Sequence, residues 1–213
     1  MSTSRDRVRQ ALSHQGSDRI PVDFGATAVT GIHCRVVEAL RKHYGLSYKP
    51  VKIVDTFQML GEVDRDLADA MGVDCIGVGG TRDIFDHDTE CMHEQVTPWG
   101  QKVLVPIQLD LTQDKEGDVY VYAGGDKNYP PSAIMPNGCF FINAIERQQP
   151  IDEDKLNPMD NLEEFNSITD EELDAYKKKV NEASATGRAV VASFGGTALG
   201  DVAFVPGMGL KEP

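Results

Sequence analysis

RAVVASFGGTALG, Arg188 to Gly200, is the stretch on which the fold turns. Ala189 to Ala192 are a short apolar run with two central valines, the composition of a buried strand, and Gly195 and Gly196 break the run into a tight turn. Immediately upstream, Thr169 and Glu172 have the spacing of a capping box, and Leu173, Tyr176, Val180 and Ala183 share one face of a helix that Gly187 ends. A helix running straight into a buried strand and a glycine turn is part of a parallel α/β unit.

The same signature occurs twice more. VDCIGVGG, Val73 to Gly80, is a second buried strand ending in glycines, and RIPVDFGA, Arg19 to Ala26, is a first, with Pro21 near its start and Gly25 at its end. Helices fill the intervals. Residues 5 to 14 carry Val8, Ala11 and Leu12 on one side with Ser4 as N-cap, and Gly31 to Tyr44 carry Ile32, Val36, Val37, Leu40 and Tyr44 before Gly45. A further helix is predicted from Asp55 to Met71, with Phe57, Leu60, Val63, Leu67 and Met71 on one stripe and Gly72 closing it. In open sheets and (β/α)8 barrels such glycine-ended carboxyl termini are where ligands bind.

The middle of the chain departs from this rhythm. WGQKVLVP, Trp99 to Pro106, and DVYVY, Asp118 to Tyr122, alternate as strands do, which predicts a β-hairpin insertion over about 95–125, followed by a loop from Gly124 to Gly138. Three βα units and a hairpin do not close a barrel of about 250 residues. The expectation is that residues 1–213 form the N-terminal part of one barrel domain, with the remainder elsewhere or supplied by a second chain.

Composition narrows the function classes. The chain has 213 residues, 40% of them apolar, and a formal charge of -13, which repels a phosphate backbone and disfavours nucleic acid as a partner. Ten acids against Lys155 between Asp152 and Asp174 read as a solvated loop and helix start. No apolar run approaches the roughly 20 residues of a membrane span, and MSTSRDRVRQALSH lacks the apolar stretch of a secretory signal. A cytoplasmic location and free thiols at Cys34, Cys75, Cys91 and Cys139 are therefore expected.

The glycine turns are the candidate pocket. Phe194, Gly195, Gly196 and Thr197 in the third, Gly79 and Gly80 in the second, and Phe24, Gly25 and Thr27 in the first let backbone N–H groups approach a ligand closely. Asp23 and His33 follow the first strand on one βα loop, and a histidine oriented by a carboxylate is an acid or base usable near neutral pH. DHDTECMH, Asp86 to His93, has metal-ligating residue types without a metal-site spacing, so it reads as a polar loop and no metal is expected in this segment. CxxC, HExxH, P-loop and GxSxG motifs are absent.

RDRVRQALSHQGSDRIPVDFG, GIHCRVVEALRKHYGL and VVASFGGTA together resemble the N-terminal half of the uroporphyrinogen decarboxylase superfamily, most closely its corrinoid-dependent methyltransferase branch. The likeness extends over nearly the whole chain, including WGQKVLVP and PIDEDKLNPMDNLEEF. The resemblance implies an α/β fold, the N-terminal half of a (β/α)8 TIM barrel whose funnel opens at the strand carboxyl ends. The family's decarboxylases carry an arginine-rich segment after the first strand, where this chain reads DFGATAVTGIH, and an aspartate after the second, where it has Gly79 and Gly80. Their tyrosine beyond the third turn falls near Ala203 and Phe204. A funnel without clustered cations, in a chain of charge -13, repels an octacarboxylate porphyrinogen.

The methyltransferase branch implies transfer of a methyl group between a small methylated substrate and corrinoid (cobalamin) on a partner protein, with zinc held in the missing C-terminal half. Two alternatives stand beside it: a carboxy-lyase of the same fold acting on a smaller acid, and a non-catalytic half-barrel subunit.

Overall fold

The computed structural model describes residues 2–145, 154 and 168–193. It is a mixed α/β structure with four helices and three sheets among those residues. Helix α1 spans Ser4–Leu12, and its N-cap is Thr3, whose hydroxyl accepts from the Asp6 amide, rather than the expected Ser4. Helix α2 spans Cys34–His43. Its first-turn cap is unusual, since the His33 ring accepts from the Arg35 amide; Arg41, Lys42 and His43 place positive charge at the negative end of the helix dipole.

The helix expected over Asp55 to Met71 forms only in its second half. Val51–Asp55 is strand β2, a short turn follows, Leu60–Gly61 is strand β3, and helix α3 is confined to Arg65–Met71. Phe57, Leu60 and Val63 mimic a helical period, but β3 pairs on one side with β2 and on the other with β1, Ile32–His33. Pairing outweighs local periodicity here, and Met59 takes a left-handed backbone, φ 52°, to turn the corner. Asp64 caps α3 through the Leu67 amide and Gly72 ends it at φ 67°.

The inserted region is larger than one hairpin, and its partners differ from those expected. Lys102–Pro106, strand β6, pairs antiparallel with β5, Met92–Val96, and parallel with β2, completing a five-stranded sheet in the order β1, β3, β2, β6, β5. Val119–Val121, strand β7, pairs instead with β8, Ala133–Met135, which lies in the stretch expected to be loop; β9, Asn143–Ala144, follows on its other side. The main apolar core is built here, from Ile53, Phe85, Val103, Val105, Val119, Met135 and their neighbours, each contributing about 1.5–3 kcal/mol by leaving water.

The remaining elements are the parallel pair. Cys75–Val78 is β4, Asp170–Ala185 is α4 with the expected Thr169–Glu172 capping box, and Ala189–Ala192 is β10, in parallel register with β4 from Ala189 beside Cys75 to Ala192 beside Val78. Arg19 to Ala26 does not join a ladder as a strand. It runs alongside β4 all the same: the Asp74 amide donates to the Val22 carbonyl at 2.7 Å, and a side chain at Gly77 would strike the Ala26 carbonyl oxygen. The Val22 to Ala26 segment and β10 therefore flank β4, with β4 and β10 parallel, and barrel closure is not seen among the described residues.

Candidate functional site

Asp74 fixes the first segment against β4. Its fully buried carboxylate receives Arg7 at 2.5 Å, Arg19 at 2.6 and 2.9 Å, and the Val22 amide at 2.8 Å. Burial pushes this carboxyl up, but the amide and the two guanidiniums together hold it below its ordinary value. Arg7 also reaches Asp18, so helix α1, the segment before the first glycine turn and β4 share one ionic cluster.

The turns beyond these segments are open to different degrees. Gly25 has φ 86° and donates to the Thr30 carbonyl at 2.8 Å, and Phe24 and Thr27 around it are exposed. Gly79 and Gly80 are exposed at the end of β4, with nothing within 4 Å of a side chain built at Gly79, and the Gly80 carbonyl accepts from Lys179 of α4 at 3.2 Å. At the end of β10 the Ser193 amide donates to Val78, so β4 and β10 finish side by side. Phe194, Gly195, Gly196 and Thr197 lie outside the described residues.

Asp23 and His33 are held by different neighbours. The Asp23 carboxylate accepts from the Ala26 amide at 3.2 Å, inside its own turn. It also stands near Cys75, whose thiol is pushed up by burial first and by the Asp23 and Asp74 charges second. His33 lies against Trp99, Phe140 and Phe141. Its Nδ1 accepts from the Arg35 amide at 3.2 Å, which leaves the proton on Nε2, 3.0 Å from the Phe140 carbonyl. Both ring nitrogens are occupied and neither bond goes to Asp23, so this arrangement holds no carboxylate-oriented base.

A carboxylate–histidine pair does exist, in the stretch expected to be a polar loop. His87 is fully buried, with Nδ1 3.2 Å from Asp83 Oδ2 and Nε2 2.9 Å from the Tyr122 carbonyl. Asp83 further accepts from the Thr56 hydroxyl at 2.5 Å and from the Phe85 and His87 amides at 2.9 Å. Burial raises this carboxyl, but His87 and Thr56 outweigh it and bring it below its ordinary value. With every polar atom matched inside the protein, the pair acts as a staple between three loops rather than as an acid or base. The nearness of Asp83 to His87 in sequence was its one visible signal.

The four thiols are free, and three are perturbed upward. Burial drives Cys34 to about 12, and the Asp88 carboxylate raises exposed Cys91. Such thiols stay protonated at neutral pH and are poor nucleophiles. Among the described residues no three His, Cys, Asp or Glu side chains converge to hold a metal ion, and no helix is long and apolar enough to cross a membrane. Compared with protein-family models, with curated proteins and with solved structures, the chain matches none.

Proposed function

We propose that this chain supplies the first three strand-and-turn units of a (β/α)8 barrel enzyme that moves a methyl group between a small methylated substrate and the corrinoid of a partner protein. The observation that carries the reading is the common direction of three neighbouring segments: Val22 to Ala26, β4 and β10 lie in that order, and β4 and β10 end together at Val78 and Ala192. Parallel strands joined through helices put their following turns on one side of a sheet, where the turns of a barrel enzyme form the substrate funnel. The Gly25, Gly79 and Gly80 turns are the described part of that funnel, with exposed Phe24 and Thr27 as its rim.

Within this reading the funnel residues bind and orient the substrate, and Asp23, anchored by the Ala26 amide in the first turn, supplies a carboxylate there. His33 contributes by fixing the start of α2. Within the same reading, zinc and the rest of the barrel belong to the C-terminal half beyond this segment or to a second chain. The soluble-enzyme reading carries a cytoplasmic location with it.

The test is a spectrum. Reduced corrinoid mixed with the complete protein and a panel of methyl ethers, methylamines and methyl thiols is expected to shift to the methylated form with at least one donor. No shift with any donor would overturn the reading, and carbon dioxide release from a small acid without corrinoid would replace it by a carboxy-lyase.

A further inference from the structure

A cleft of about 720 Å³ opens between the outer face of α2, the loop after it and the turn joining β5 to β6. It lies where the chain enters β2 and β6, the end of that parallel pair opposite to their carboxyl termini, and Gly25, Gly79 and Gly80 are not among its lining residues. Its size falls in the range of small-ligand sites.

The helix face toward it follows from spacing. Arg35, Glu38, Ala39 and Lys42 stand at i, i+3, i+4 and i+7, one stripe of an α-helix, while Cys34, Val37 and Arg41 are buried. Ala39, with a single methyl, leaves room between the longer chains. In a chain of charge -13 this cleft is lined by four cationic side chains against one carboxylate. Arg41 and Lys49 are already neutralised by Asp64 and Asp66. Arg35 and Lys42 meet no carboxylate among the described residues, and the Arg35 guanidinium is fixed 4.4 Å from the centre of the Phe140 ring. Glu38 reduces the unpaired charge of the wall to a single positive unit.

The rest of the lining includes aromatic rings. Trp99 packs on His33 and Phe140, and its indole N–H donates to Gln101 at 3.0 Å. Gln101 in turn donates to the Cys34 carbonyl at 3.0 Å. The indole therefore offers a ring and no free donor, and Tyr48 adds a second, exposed ring.

We propose that this cleft binds a small aromatic carboxylate, its anionic group on Arg35 and Lys42 and its ring against Trp99. A net wall charge of one suits a monoanion rather than a phosphate dianion. The site is independent of the glycine turns, so it stands or falls apart from the methyl-transfer reading.

Trp99 is the only tryptophan of the chain, so its fluorescence reports this cleft directly. Titration with benzoate is expected to give a saturable change, with acetate (charge without a ring) and benzamide (ring without charge) at least about tenfold weaker, as loss of one charged or stacked contact implies. The double variant Arg35→Ala/Lys42→Ala should weaken benzoate by about tenfold or more, and Glu38→Gln should tighten it. Both variants change exposed or half-buried helix positions and should unfold at the wild-type temperature. Absence of a saturable benzoate response would overturn the proposal, as would unchanged affinity in the double variant or acetate binding as tightly as benzoate. Phenyl phosphate binding tighter than benzoate would overturn the choice of a monoanion.

Discussion

Phe85 and Asp74 are equally sealed from water, both at 0% exposure, yet they stabilise their surroundings by opposite means. Around Phe85 the contacts are mainly apolar: Phe57 and the strands of the inserted region supply a continuous core, with the His87 ring on one side. Around Asp74 the parallel pair is held by charge, with Arg7 and Arg19 on the carboxylate, while Arg188 donates to the Val73 carbonyl and pairs with Asp69. An apolar core tolerates loss of a contact by partial collapse, whereas a buried ion left without its partner has no such relief. The β-rich region should therefore fail gradually on mutation and the parallel region abruptly.

Asp74→Ala is the sharpest break. It removes the buried acceptor shared by Arg7, Arg19 and the Val22 amide, leaves Arg7 only the Asp18 carboxylate, and should lower stability by about 3–5 kcal/mol, a loss that Asp74→Asn recovers only in part. Phe85→Ala should cost a similar 3–5 kcal/mol or so through the cavity it leaves, but as one step in a graded series with smaller truncations such as Val103→Ala. Chemical denaturation of each variant measures both. Acid applies the first perturbation without mutation. Arg7 holds Asp18 at about 2, below the ordinary 3.8, and Asp74 is also lowered, so their contribution is complete above the ordinary value and lost as pH falls through the depressed ones. Thermal melts between neutral pH and pH 2 should show amide signals of α1 and β4 lost before those of β6.

Gly77→Ala probes the seam between the first segment and β4. A Cβ there would sit 2.0 Å from the Ala26 carbonyl oxygen, backbone that cannot swing aside, so a destabilisation of about 1–3 kcal/mol is expected on thermal unfolding. A neutral result would separate that segment from β4 and remove the support for placing the Gly25 turn beside the Gly79 and Gly80 turn. Thr169→Ala, which opens the capping box of α4, is the mildest change, at about 1 kcal/mol.

The same contrast explains what could be read in advance. Elements of the parallel region announce themselves locally: the Thr169–Glu172 box, Gly72 and Gly187 as stops, and the apolar runs of β4 and β10. The β-rich region announces some of its strands, as at Lys102–Pro106 and Val119–Val121, but not their partners, which pairing rather than local pattern decides. Met92–Val96 carries His93, Glu94 and Gln95 at the sheet edge and has no apolar alternation to detect. Val51, Ile53 and Val54 were a β-branched signal for β2, masked by the helical spacing of the residues just after it. The cleft beside α2 was invisible for another reason. Its i, i+3, i+4, i+7 stripe is an ordinary solvated helix face until the Trp99 turn is folded against it.

The parallel seam also sets a timetable for synthesis. Arg188 and Val73, bonded at 2.9 Å, are separated by 115 residues. At usual translation speeds β4 then emerges roughly 6–20 s before the strand that covers its edge. During that interval the antiparallel sheets, whose partners arrive close behind one another, can already have formed. A nascent chain paused before residue 189 would present an unpaired strand edge, the kind of surface that holding chaperones recognise.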